Sequence, residues 1–556
     1  LVSARVFQGA IIDLATVARV EGDARYAARA REELLAVAAL PDWGPHHFLD
    51  NAEYALGVSL GLDWLHDSLS PADRDKLETA LMERCIKLTF DREHPSLWWL
   101  TASNNWAPVC HAGLTAAALA IADRDPALAA RTIARAVEKQ AAPNATYAPD
   151  GVYPEGPMYW GYGTSFAVIL ISLLDHALGT DYGLAAAPGF LASADYMTQV
   201  IGPSGRFFNY SDAREAVPAL PVLHWFAARR GQPGIAASEV DRLAGSSPST
   251  EGAERGIHRL NGLALWWRGT DIPVRGSDKS AAPNLPLNWL GRGETPVAVF
   301  RSAWQDPRAT FVGLKGGSPA SVHSHMDAGS FVLESDGVRW AVDPGMQDYT
   351  SLEAAGLTLW SGRQESDRWT IFRLGPEGHN ILRFNAAPQL AKGSAHFTAF
   401  SADARGAAAP HAVLDLTPLY AAASVQRKVS LLPDRRVLLD DTWTAGPAPL
   451  TVTWQWLTRA EVKVNAADRS ILLSQAGETL RLRVLSPGKV RIDTRDVSAP
   501  FRAFDEANPG LSRVRIHLDG AAGAPGRLVV IAEPGSVIAS GDLPDPALDP
   551  APDAAP

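Results

Sequence analysis

Apolar residues return every third or fourth position through Val6–Val20, Tyr26–Ala39, Ala52–Leu69 and Arg74–Leu88, the spacing that lines one face of a helix. The pattern resumes through Val109–Ala122, Leu128–Gln140, Ser165–Leu178, Ala192–Ile201 and Val217–Arg230. Ser70-Pro71-Ala72-Asp73 supplies an N-cap, a proline at the first helical position and an acidic first turn. Many helices on short connections predict antiparallel neighbours stacked as a bundle or an α/α toroid. Between Gly269 and Pro296 the composition turns to Pro, Gly, Asn and Ser, and beyond it alternation takes over. Strands are predicted at Val297–Trp304, Thr310–Leu314, Ser330–Glu334, Arg339–Val342, Ala412–Leu416, Ala423–Leu432 and Arg436–Thr444. Leu450–Leu457, Ile471–Ser474, Leu480–Val484, Val514–Leu518 and Arg527–Ala532 follow. The expected class is α+β and multidomain: a helical domain over 1–270, antiparallel sheets over 271–490, and a small C-terminal β region over 491–543. The tail, 544–556, is Pro, Asp and Ala and is expected to be disordered.

The 556 residues, 46% hydrophobic and 20% charged, exclude a disordered chain, a collagen and a disulfide-stapled miniprotein. The longest strongly apolar run, Phe166–Leu174, falls short of the roughly 20 residues that span a bilayer. No membrane role is expected. The net charge of −10 argues against a nucleic-acid or acidic-membrane binder, while leaving room for a locally basic cleft on a polyanionic substrate. Cys85 and Cys110 have no metal spacing and read as buried free thiols, with a single bridge as the alternative. The start at Leu1 reads as processed or trimmed, with no signal peptide visible. Tryptophan is abundant, 17 against 11 Tyr; most should be core residues, and any exposed face would suit stacking on sugar rings.

Three segments could carry chemistry. Ser103-Asn104-Asn105-Trp106 follows Trp98-Trp99 at the mouth of a predicted helix. Its amides suit hydrogen bonding to a carboxylate or hydroxyl, or simply cap the helix. Gly151–Gly163 sets three Tyr, Trp160 and Glu155 among Gly and Pro, in what reads as a loop before an apolar helix. His323-Ser324-His325-Met326-Asp327 is followed by Asp343-Pro344-Gly345 and Gly378-His379-Asn380. In a strand His323 and His325 would share a face, and His with carboxylate makes a zinc-type donor set.

In their order these segments resemble the heparinase II/III superfamily of polysaccharide lyases, oligoalginate and glycosaminoglycan lyases included. The Trp43–Glu53 stretch shares the likeness. The resemblance implies an incomplete α/α toroid, the catalytic domain, followed by an antiparallel β-sandwich. It implies β-elimination at a uronic acid in an acidic polysaccharide such as alginate or a glycosaminoglycan. Asn105 resembles the neutraliser of the sugar carboxylate, with Asn104 adjacent; Tyr162 resembles the Tyr that removes the proton, protonates the leaving oxygen, or both. His323 supplies positive charge or acts as the base. His325, Asp343 and His379 match structural zinc ligands, another divalent cation being the alternative. Glu155, Tyr159, Trp160 and Tyr349 are expected at the sugar. Where many relatives carry His after the paired Asn, this chain has Trp106, also expected at the substrate, which shifts the burden onto Asn105, His323 and an Arg. Arg206 and Arg214 are the candidates, because guanidinium pairs bidentately with carboxylate or sulfate. Export to the periplasm or beyond is implied by the family. The competing expectations are a glycoside hydrolase using Asp50 and Glu155, and a sugar-binding protein without chemistry.

Overall fold

The computed structural model describes residues 1–91, 96–245, 258–268, 284–403, 409–486, 488–539, 545–546 and 548. Most of the 544–556 tail, and the proposed boundary at 270/271, lie outside the described residues. Two compact units divide the chain. One comprises 1–151, 159–194 and 218–281; the other comprises 152–158, 195–217 and 282–556. The second therefore draws two segments from the helical half of the sequence, 152–158 and 195–217, which the expected boundaries did not foresee.

In the first unit, α1 (Val2–Glu21), α2 (Ala24–Ala38), α3 (Phe48–Trp64) and α4 (Pro71–Leu81) precede α5 (Trp106–Ala120), α6 (Pro126–Ala145) and α7 (Pro157–Leu178). Later comes α9 (Val222–Arg230), while α8 (Ser193–Gln199) begins in this unit and has residues 195–199 in the second. The Ser70 hydroxyl caps α4 by accepting from the Asp73 amide at 3.2 Å, as the sequence foretold. α1 packs on α2 and α3, α3 on α5, and α5 on α6. Gly113 lets α5 close on α3: a Cβ there would lie 2.3 Å from the Ala52 carbonyl oxygen, next to Glu53. Cys85 and Cys110 are buried free thiols.

The Tyr-rich segment departs from expectation. Only its first part is loop; Pro157 opens α7, so Tyr159, Trp160 and Tyr162 stand on that helix's first turns. Pro suits the first helical position, where no amide donor is needed. The extension also makes α7, among the described residues, the one helix long and apolar enough to cross a membrane, with 56% of its most apolar window buried inside the protein. The shorter run in the sequence missed this because the Tyr, Trp and Gly before Phe166 interrupt it.

The second unit holds three antiparallel sheets. β1 to β5 (Asn288–Gly291, Val297–Arg301, Phe311–Lys315, Phe331–Ser335, Val338–Ala341) form a meander of five. Eight strands run in the order β12 (Glu461–Asn465), β13 (Ser470–Gln475), β14 (Glu478–Val484), β17 (Pro525–Pro534), β10 (Val437–Thr444), β9 (Ser424–Leu431), β8 (His411–Asp415) and β7 (His396–Ser401). A third sheet, β15-β16-β11-β6, joins Arg491–Asp496, Ser512–Gly520, Leu450–Thr458 and Leu382–Phe384. One apolar core takes Phe300, Leu333 and Trp340 from the first sheet, Val429 and Leu439 from the second, and Trp454 and Ile516 from the third. The strands after 490 thus enter the same sandwich rather than a separate C-terminal sheet: β17 (Pro525–Pro534) sits inside the eight-stranded sheet, paired to β10 and β14. Their inward residues could be buried only there.

Each predicted strand is present to within a few residues. The five not foreseen, β1, β6, β7, β12 and β15, are all sheet edges. β7 and β12 carry no buried residue. An edge strand without a buried face writes no alternation into the sequence.

Candidate active site and metal centre

Tyr162 projects from α7 on the same face as Tyr159, three residues back, while Trp160 points the other way. Trp160 is fully buried against Phe226, at 5.8 Å, and is a core residue rather than a sugar platform. The Tyr162 hydroxyl donates to Glu53 Oε1 at 2.7 Å. Glu53 is buried, and its Oε1 also accepts from Arg5 Nε at 3.0 Å and from Arg259 Nη2 at 3.1 Å. Both guanidinium groups lie over the Tyr162 ring, at 4.7 and 5.2 Å from its centre. Two cations and one carboxylate leave a surplus positive charge beside the phenol. Burial, then the Glu53 charge, push the phenol well above its usual value, against the pull of Arg5 and Arg259. Tyr162 thus holds its proton through the neutral range. Of the Arg expected at a sugar carboxylate or sulfate, Arg206 pairs with Glu215 at 3.4 Å and Arg214 is exposed. Arg5 and Arg259 were missed because each lies far from Tyr162 in the chain.

Burial would raise the Glu53 carboxyl, but Arg259 and Arg5 more than offset it and leave it below 4.5. A depressed folded value stabilises the protein above the unfolded value and loses that stabilisation as pH falls through the folded one. The stability gap between the unaltered protein and Glu53→Gln is therefore expected to be constant near neutrality and to shrink below about pH 4.5. Urea midpoints at stepped pH measure it; a gap that widens on acidification contradicts the assignment.

At the start of α5, Asn104 Oδ1 accepts from the Trp106 amide at 3.2 Å, one residue ahead of the N-cap position, Asn105. Asn105 is buried. Trp106 is half-buried, with its ring 4.9 Å from the exposed Trp98 and 4.8 Å from His47. Asp50 bonds His47 at 3.0 Å.

In the β unit the His-x-His segment is a turn, not a strand. His323 adopts a left-handed backbone, φ 59°, and its carbonyl accepts from the Asp212 amide at 3.0 Å. The two imidazoles still converge, on a residue the sequence reading passed over. Asp212 Oδ2 faces His323 Nδ1 at 3.0 Å and Asp212 Oδ1 faces His325 Nε2 at 2.8 Å. Tyr349 donates to the same carboxylate at 2.7 Å and Arg368 at 2.6 Å. Burial alone would raise the Asp212 carboxyl; Arg368 and the two His reverse this and hold it well below the carboxylate range. An ionised Asp212 can only accept, so His323 carries its proton on Nδ1, and Nε2 faces Glu155. Glu155 lies 3.3 Å from that Nε2 and is buried, which corrects its expected place at the sugar: it bears on the imidazole instead. Tyr349 likewise commits its hydroxyl to Asp212. Asp212 ends Phe207-Phe-Asn-Tyr-Ser-Asp212, a run with no local pattern to mark it.

Beyond His325 lies the expected metal triad. His325, Asp343 and His379 are buried, each with a ligand atom within 4.8 Å of the others'. Asp343 Oδ1 accepts from the Gly345 amide at 2.8 Å and Oδ2 meets His379 Nδ1 at 2.9 Å. Gly345, φ 72°, is required here, since a Cβ would lie 2.4 Å from the Ala213 carbonyl oxygen. With His325 Nε2–H given to Asp212, its Nδ1 lone pair is buried without a partner, as is His379 Nε2. Orphaned imidazole nitrogens beside a carboxylate fit a divalent, zinc-type cation. Asp327 is not part of the set, being paired with the buried Lys315.

Residues 297–526 match the family model described as heparinase II/III-like, C-terminal. This segment is a heparinase II/III-like domain. It contains His323, Tyr349 and the whole triad. No curated protein matches the chain. Among solved structures, the heparan sulfate lyase HepC of Pedobacter heparinus is 14% identical over 94% of this chain and 74% of that one, with a TM-score of 0.58. A heparinase III is 14% identical over 94% of this chain and 76% of that one, with a TM-score of 0.60. At that identity the likeness is one of fold: helical half and heparinase II/III-like half together have the architecture of those structures, the class of incomplete toroid and β-sandwich that the motifs implied.

Proposed function

We propose that the protein is a polysaccharide lyase that cleaves a uronate-containing chain by β-elimination. The observation carrying this reading is His323, fixed by Asp212 through Nδ1 with Nε2 left to work, within a heparinase II/III-like domain. His323 Nε2 takes the C5 proton, and the C5 electron pair forms the C4–C5 double bond as the C4–oxygen bond breaks. The leaving glycosidic oxygen needs a proton, and Tyr162, which keeps its own, is the acid that the resemblance implies. Once protonated, the imidazole lies between Asp212 and Glu155, two carboxylates suited to hold its charge. Asn105 hydrogen-bonds the sugar carboxylate, and the surplus charge of Arg5 and Arg259 favours electron density at the leaving oxygen beside Tyr162. Products one water lighter than hydrolytic fragments, by mass spectrometry, support elimination; fragments that gain a water oxygen overturn it in favour of hydrolysis.

The likeness to heparan sulfate lyases favours a glycosaminoglycan of the heparan type as substrate, with alginate second. Such polymers are met outside the cytoplasm, which supports a periplasmic or secreted protein. His325, Asp343 and His379 would hold zinc in a structural role, tying the turn that carries His323 to the Asp343 and His379 segments. When bound, the metal supplies cross-linking and fixes the His325 tautomer. Removing it with a chelator should lower the Tm; zinc at 100 times its Kd should restore about 2.7 kcal/mol. An unchanged melting curve together with no zinc by elemental analysis contradicts the assignment.

A further inference from the structure

Trp360 is the most exposed of the exposed tryptophans among the described residues, at 56%. The others, Trp98 and Trp266, each lie against another tryptophan, at 4.9 Å from Trp106 and Trp64. Trp360 instead stands perpendicular to His323, with ring centres 5.5 Å apart, and nearly perpendicular to Tyr349 at 4.9 Å. His323 and Tyr349 are themselves parallel. The indole is held in place: its Nε1 donates to Glu353 Oε1 at 3.2 Å. The backbone is anchored on one side by the buried Leu359, packed with Leu352, Ile371 and Leu374. Thr358 N adds a bond to Asp367 at 2.9 Å. A fixed, water-exposed indole beside a catalytic imidazole has no use in the core, where six other tryptophans are fully buried.

We propose that Trp360 is a stacking platform for a pyranose ring bound next to His323, a positioning residue of the elimination reaction. This rests on the lyase reading. A uronate ring has a charged edge and an apolar face of C–H bonds, and an indole grips that face without a countercharge. In a protein of net charge −10 acting on a polyanion, a neutral grip beside the base avoids the repulsion that the overall charge imposes.

The test compares the unaltered protein with Trp360→Ala and Trp360→Phe on a series of uronate oligosaccharides, following double-bond formation for kcat and KM. The platform predicts a KM raised about tenfold in Trp360→Ala, kcat within about threefold, and most of the loss recovered in Trp360→Phe. An unchanged KM overturns it while leaving the lyase reading intact. So does a fall in kcat alone, which would mean that the indole merely props His323. No turnover by the unaltered protein on any uronate chain would sink the lyase reading and the platform with it.

Discussion

His323→Gln should fold and should lose kcat by about 10²- to 10⁴-fold, the usual share of a positioned general base. The substitution removes the imidazole that Asp212 holds through Nδ1 and whose Nε2 faces Glu155. It leaves Asp212 three of its donors, from His325, Tyr349 and Arg368, so the buried carboxylate remains satisfied. Circular dichroism and a melting curve near that of the unaltered protein should accompany the loss. If turnover survives within tenfold, His323 is not the base, and Tyr162 would have to move both protons despite an environment that keeps it protonated.

Asp212→Ala should do more damage, to stability as well as to rate. It strips a buried guanidinium of its partner, since Arg368 is buried and donates to Asp212 at 2.6 Å. Breaking one side of a buried ion pair costs about 3–5 kcal/mol. Two imidazoles lose their tautomer-fixing acceptor together, so both the proposed base and the proposed zinc ligand are freed to turn. Zinc content and kcat should therefore fall with the melting temperature. Asp212→Asn keeps the shape and loses the charge, and it should fall between. A variant as stable as the unaltered protein, with full zinc content, would show that the carboxylate does not join the two centres.

Much of this was legible before the fold was seen. Alternation placed the inner strands because their residues are buried on the core face; the edges, β7 and β12 above all, had no such imprint. His323, His325, Asp343 and His379 stood out as residue types, but the turn that makes the two imidazoles converge follows from a left-handed backbone at His323 that spacing does not reveal. Asp212 reaches His323 across 111 residues, and Arg259 reaches Glu53 across 206. Such pairings are made by packing, and no local pattern encodes them. Glu155 and Trp160 were recognisable as unusual, yet their roles turned on side-chain direction: one onto an imidazole, the other into the helical core.

Ultraviolet absorbance of the C4–C5 double bond tests the central claim most directly. Purified protein would meet heparan sulfate, chondroitin, hyaluronan, polyglucuronate and alginate in turn, with Tyr162→Phe alongside. Elimination predicts a rise on at least one of these polymers, heparan sulfate first, that is lost in the variant. Reducing ends that accumulate without any rise would make the protein a hydrolase, and binding without either signal would leave it no chemistry at all.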